Sequence, residues 1–106
     1  MSLAMLEGKN LLEGKKTIVT GGAGGIGSAI VDEFVRQGAQ VFSIDINDET
    51  GQKIVDDANA KGYSGKAYYM HCDCTNEEAV EKGFAEAKET MGGLDVMIHC
   101  AAKMQS

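Results

Sequence analysis

Between Thr20 and Gly27 the chain reads Thr20-Gly21-Gly22-Ala23-Gly24-Gly25-Ile26-Gly27, directly after the apolar run Thr17-Ile18-Val19. Glycines this dense at the end of a strand suit one kind of chemistry, the binding of a phosphate by main-chain amides. Without Cβ atoms the backbone turns tightly and approaches an anion closely, and a helix starting there adds exposed N–H groups and a favourable dipole. Gly22, Gly24 and Gly27 fit G-x-G-x-x-G, while Gly21, Gly25 and Gly27 fit a T-G-x-x-x-G-x-G pattern that begins at Thr20. Both spacings describe a dinucleotide turn, with a diphosphate held by bare amides along Gly21 to Gly27. Ser28 stands where a Walker A loop needs its phosphate-binding Lys, which disfavours that alternative. A merely flexible turn is the bland reading, and the flanking strand and helix patterns weigh against it.

Asp45 is the second chemical anchor. It ends the run Gln40-Val41-Phe42-Ser43-Ile44 and lies 45 − 27 = 18 positions after the last glycine. That is near the spacing of the acidic residue that hydrogen-bonds an adenosine ribose. The competing reading is a helix cap or a solvated strand end. An ionised carboxylate accepts well from a ribose hydroxyl and repels a 2′-phosphate, by roughly 4 kcal/mol at about 4 Å and an effective dielectric of about 20. No Lys or Arg lies in the glycine turn or directly after Asp45 to offset the repulsion. The expected cofactor is NAD rather than NADP.

Asp73, in His71-Cys72-Asp73-Cys74-Thr75, has two open readings, an acceptor for an adenine amino group or a cap beside Thr75. His99 is read as a structural histidine at a strand end rather than as a general base. Cys72, Cys74 and Cys100, with His71 and His99, invite a zinc reading, but the two groups fall on different strands that need not be neighbours. Small buried hydrophobes at strand ends are the ordinary reading, so no metal is expected.

The elements that must position these residues alternate. Lys16 to Thr20 is the first expected strand, and Gly25 to Gln37 carries Ile26, Ala29, Ile30, Phe34 and Val35 at helical spacing up to the stop at Gly38. Gln40 to Ile44 is the second strand. A helix from about Asp48 to Lys61 turns Ile54, Val55 and Ala58 inward, and Gly51 should cost it about 1 kcal/mol and fray its first turn. Lys66 to Cys72 is the third strand. Thr75 and Glu78 form the pattern of a capping box, opening a helix to Met91 with Val80, Phe84, Ala87 and Met91 inward. Leu94 to His99 is the fourth strand, apolar without alternation at Val96-Met97-Ile98, as in a parallel strand covered on both faces.

Crossovers of helix length force parallel strands, and right-handed connections give the order 3-2-1-4. The expectation is an α/β, Rossmann-type three-layer sheet whose order reverses between strands one and four, truncated after strand four. Ligands in such sheets sit at that reversal, outside the carboxyl ends of the strands.

At 106 residues the chain is one domain, short for a complete doubly wound enzyme. Residues 1–12 read as an N-terminal extension or cloning scar and 13–106 as a partial NAD-binding domain. A net charge of −6 without a basic run argues against nucleic acid or an anionic membrane as partner. No signal-peptide pattern stands at the start and no window approaches a membrane span. Three cysteines, an odd number, suit reduced thiols and a cytoplasmic location.

Taken together, Thr20-Gly21-x-x-x-Gly25-Ile26-Gly27, Asp45, Asp73 and Leu94-Asp95-Val96-Met97-Ile98 before a small-residue turn resemble the N-terminal half of a short-chain dehydrogenase/reductase, over about Leu11 to Ala102. The resemblance implies a Rossmann fold and hydride transfer between a nicotinamide cofactor and a small-molecule alcohol or carbonyl. It also implies cofactor contacts at Gly21, Gly24, Gly25, Ile26, Gly27, Asp45, Ile46, Asp73, Cys74, Cys100, Ala101 and Ala102. The family's Asn-Asn-Ala-Gly after strand four is replaced here by His99-Cys100-Ala101-Ala102. Its catalytic Ser and Tyr-x-x-x-Lys are expected beyond this segment: four positions after Tyr63, Tyr68 and Tyr69 stand Ala67, Cys72 and Asp73. The segment alone is therefore expected to be inactive. Strand four, left as an edge, is expected to be covered by another copy, a homo-oligomer, or by further chain. Two rivals are a non-catalytic nucleotide-binding or assembly module and a flavin or other nucleotide binder on the same architecture.

Overall fold

A computed structural model describes residues 11–100. Its order is β1 (Lys16–Thr20), α1 (Gly25–Arg36), β2 (Gln40–Asp45), α2 (Asp48–Ala60), β3 (Lys66–His71), α3 (Glu77–Met91) and β4 (Val96–His99). All pairings are parallel and the sheet order is β3-β2-β1-β4, as the crossover lengths require. Thr20 stands in register with Ile44 on one side and His99 on the other, and Asp45 with His71. The carboxyl ends of the strands thus finish level along one edge.

Alternation along the strands divides the core into two layers. Val19 and Val41 pack with Val31 and Val35 of α1 and Val55 and Ala58 of α2. Ile18, Phe42 and Ile44 face the other way and pack with Ala87 and Met91 of α3. Both faces of the central strands are dry, which is why their sequences read as continuous apolar runs. Outer strand β4 is less covered: Val96 and Ile98 are half-buried and Met97 is 41% exposed. The covering on both faces expected for this strand is incomplete among the described residues.

Two local expectations, for α3 and for α2, are corrected. Leu11 and Leu12 are tied to the end of α1. The Leu12 amide donates to the Gln37 carbonyl at 2.9 Å, the Leu11 amide to Gln37 Oε1 at 3.2 Å, and Leu12 packs on the core. The cap of α3 is Asn76, whose side chain accepts the Ala79 amide at 2.9 Å, and not Thr75. Thr75 is already engaged, its amide and its hydroxyl both donating to Asp73 Oδ1, at 2.9 and 2.6 Å. Finally, Gly51 does not loosen α2. It is buried, and a Cβ there would fall into the Tyr69 ring, so the glycine is what lets α2 lie close to β3.

Candidate dinucleotide site

The glycine turn leaves β1 at Gly21, whose positive φ of 73° suits the residue type. Close packing then uses the bare Cα atoms. A Cβ on Gly22 would strike the buried Ser43 side chain of β2, and a Cβ on Gly27 would strike the Gly21 carbonyl and the Gly22 Cα. Gly25, by contrast, has nothing within 4 Å of where its Cβ would be. The first two glycines close the turn against the sheet; the last leaves open space above it.

Most of the amides in the turn are spent on the fold. Gly21 donates to the Ile44 carbonyl at 2.8 Å, Ala23 to Asp45 Oδ2 at 3.0 Å and Gly24 to the Gly21 carbonyl at 3.1 Å. Gly22 makes a longer contact of 3.5 Å to Ile44. Ser28 begins the helical ladder, donating to Gly24 at 2.8 Å. The amides of Gly25, Ile26 and Gly27 have no acceptor among the described residues. Asn47 caps α2 and Asn76 caps α3 with their side chains, whereas Gly24 at the start of α1 offers none. The expectation that bare amides run the whole length of Gly21 to Gly27 therefore narrows to these three donors of one helical turn. Gly21 and Gly24 contribute shape rather than free N–H groups.

Asp45 stands beside this turn. Its Oδ1 accepts the Ile46 and Asn47 amides at 2.7 and 3.0 Å while Oδ2 accepts Ala23. An ionised carboxylate has about four lone-pair sites. With three main-chain donors fixing its orientation, one direction is left for an incoming hydroxyl. Ile26, at 75% exposed in the first turn of α1, and Ile46, at 59% just after β2, are large apolar side chains left in solvent.

The remaining expected contacts fall along the same edge. Asp73 follows β3, and Thr75's hydroxyl and then its amide hold the carboxyl below the usual carboxylate range. Asp73 Oδ1 thus holds the loop at Thr75, ahead of the α3 cap at Asn76. Cys74 is half-buried against the α3 layer, and burial, followed by the neighbouring Cys72, pushes its thiol up to about 11. Cys72 is buried and its thiol is likewise pushed up, chiefly by burial. Among the described residues no group of three or more His, Cys, Asp or Glu side chains is placed to hold a metal. The Cys100 amide donates to the Thr20 carbonyl at 2.9 Å, tying the end of β4 to the end of β1. Ala101 and Ala102 lie outside the described residues.

Two groupings went unnoticed in the sequence. The Tyr69 hydroxyl lies 2.8 Å from the Asp45 carbonyl and 2.6 Å from Asp48 Oδ1, and His71 Nδ1 lies 2.7 Å from the same Asp48 oxygen. The Tyr69 hydrogen bond, and then that from His71, hold the Asp48 carboxyl low, while burial and Asp48 push the Tyr69 phenol up. The available signal was the two-residue spacing of Tyr69 and His71, which puts both on one face of β3. The second grouping is Thr20 with His99, whose Oγ1 and Nδ1 are 3.0 Å apart.

The chain resembles known proteins in both sequence and fold. A family model described as short chain dehydrogenase matches residues 15–106. A 2,5-dichloro-2,5-cyclohexadiene-1,4-diol dehydrogenase of Sphingobium indicum is 45% identical over 90% of this chain and 36% of its own length. A secoisolariciresinol dehydrogenase of Forsythia intermedia is 42% identical over 81% of this chain and 30% of its own. The crystal structure of a hydroxysteroid dehydrogenase from Escherichia coli superposes with a TM-score of 0.78 at 33% identity, over 83% of this chain and 37% of that one. The chain spans about a third of the length of the curated relatives it matches.

Proposed function

This chain belongs to the short-chain dehydrogenase family, and from that premise we propose that it is the NAD-binding portion of an oxidoreductase moving hydride between the nicotinamide and a small alcohol or carbonyl. The observation that carries the reading is the convergence, at the ends of β1 and β2, of three unspent amides at Gly25, Ile26 and Gly27 with an oriented carboxylate at Asp45. The amides suit a diphosphate and the carboxylate suits the adenosine ribose. Ile26 and Ile46 would cover the ligand's apolar surfaces. Asp73 and Cys74 border the adenine end of the edge, and Cys100, Ala101 and Ala102 follow β4 at the other end. The cofactor when bound supplies the hydride chemistry; the catalytic proton donor is assigned to the part of the protein beyond these residues.

NAD is preferred over NADP because Asp45 would face a 2′-phosphate with like charge and no Lys or Arg adjoins it. The exposed edge at Met97 supports a homo-oligomer or cover by further chain. Three free thiols support a reducing, cytoplasmic compartment. No helix among the described residues is long and apolar enough to cross a membrane.

Calorimetric titration with NAD and NADP, wild type beside Asp45→Ala, tests the reading. NAD should bind at least about tenfold more tightly than NADP. The substitution should narrow that gap. A folded sample that binds neither cofactor removes the assignment, and one that binds both equally removes the role of Asp45.

A further inference from the structure

Thr20 is fully buried, and among the described residues two groups meet its hydroxyl. The Cys100 amide donates to Oγ1 at 3.3 Å, sharing its proton with the Thr20 carbonyl. The other neighbour is His99 Nδ1 at 3.0 Å. A threonine hydroxyl carries one proton, and burying it without an acceptor incurs the full desolvation penalty of that group. An amide N–H only donates, so the acceptor within reach is Nδ1. With the hydroxyl as donor that nitrogen is bare, and a neutral imidazole with a bare Nδ1 carries its proton on Nε2.

The topology sets His99 beside the end of β1. With the order β3-β2-β1-β4, Asp45 ends β2 on one side of β1 and His99 ends β4 on the other. A dinucleotide with its first ribose at Asp45 and its diphosphate on the amides of α1 crosses the end of β1, and its second nucleotide half continues toward β4. We propose that Thr20 is a positioning residue that locks His99 as the Nε2–H tautomer, and that His99 is a binding residue donating from Nε2 to an oxygen of the dinucleotide's second half. The inference rests on the dinucleotide reading above. It gives His99 a fixed polarity: a donor on the ligand side, an acceptor toward the fold.

Two measurements test it. Long-range nitrogen–proton spectra of protein labelled at histidine should show His99 with Nδ1 bare and Nε2 protonated, assigned by loss of the signals in His99→Phe. Thr20→Ser, which keeps the hydroxyl, should preserve that pattern, and Thr20→Val should average the two nitrogens. A protonated Nδ1 in the neutral wild-type imidazole, or in folded Thr20→Ser, overturns the lock. In calorimetry, His99→Phe should weaken NAD about tenfold and leave AMP, which lacks the second half, unchanged. If AMP binds and NAD affinity is unaffected by His99→Phe, the ligand role of His99 is overturned while the dinucleotide reading stands. If the wild type binds neither nucleotide, the reading of the site fails and the ligand role fails with it.

Discussion

Asp45 Oδ2 accepts the Ala23 amide at 3.0 Å across a separation of 22 residues, so the carboxylate assigned to the ribose also holds the glycine turn in place. The same side chain takes the Ile46 and Asn47 amides on Oδ1. The residue proposed to select the cofactor is thus also part of the loop's architecture. Asp45→Ala releases three main-chain donors and should lower stability by about 1–3 kcal/mol even without ligand. Asp45→Asn keeps an acceptor oxygen and should lose less. Urea unfolding of the three proteins checks the order; equal stability of wild type and Asp45→Ala would show that the side chain does not support the turn.

Gly25 and Gly27 should separate binding from folding. A methyl at Gly25 meets nothing within 4 Å, so Gly25→Ala should leave the thermal midpoint almost unchanged while intruding on a phosphate seated over the first turn of α1. A methyl at Gly27 meets the Gly21 carbonyl and the Gly22 backbone, which cannot yield as a side-chain tip can. Gly27→Ala should cost about 1–3 kcal/mol of stability, as overpacking does. Differential scanning fluorimetry with and without NAD distinguishes the two. Full retention of cofactor affinity in Gly25→Ala would move the phosphate elsewhere.

Gly51→Ala sets helix propensity against packing. In an exposed helix the change would gain about 1 kcal/mol. Here the methyl enters the Tyr69 ring, and the net effect should be a loss of about 1–3 kcal/mol. A double-mutant cycle with Tyr69→Leu should recover part of that loss, since the two side chains contend for one space. Stabilisation by Gly51→Ala alone would mean that α2 moves aside freely.

Cys74 should be a poor nucleophile at ordinary pH. Burial and the adjacent Cys72 raise its thiol to about 11, and the thiolate is the reactive form. At pH 8 the thiolate fraction is then about a hundredfold lower than for a thiol near 9. The sign follows: alkylation should be slow near neutrality and should accelerate as pH rises toward 11. Peptide mass spectrometry after timed iodoacetamide treatment measures it; rapid labelling of Cys74 at pH 8 would contradict the burial.

Local patterning made much of the fold legible. Continuous apolar runs in β1 and β2 announced strands covered on both faces, and helix-length crossovers forced the parallel order that the sheet adopts. The glycine spacing and the distance to Asp45 marked the two anchors because a backbone turn and a strand end are local features. Thr75 carries the pattern of a cap but yields that place to Asn76, because Asp73, two residues before it, takes the same hydroxyl and amide. Gly51 was read as a defect because its reason, the Tyr69 ring, comes from another strand.

The residue order by itself determined the family and the parallel sheet, with a glycine turn after β1 and an acid at the end of β2. Tertiary structure alone decided which of the turn's amides remain unspent. Gly21, Gly22 and Ala23 reach Ile44 and Asp45 only once β1 and β2 lie side by side, leaving Gly25, Ile26 and Gly27 as donors. It also decided that Thr20 and His99, 79 residues apart, meet at the end of the sheet. The reason is that a hydrogen bond is settled by which partner the fold brings within about 3 Å. Spacing along the chain carries that information for a turn or a cap, and carries none of it for strands that meet only when the sheet closes.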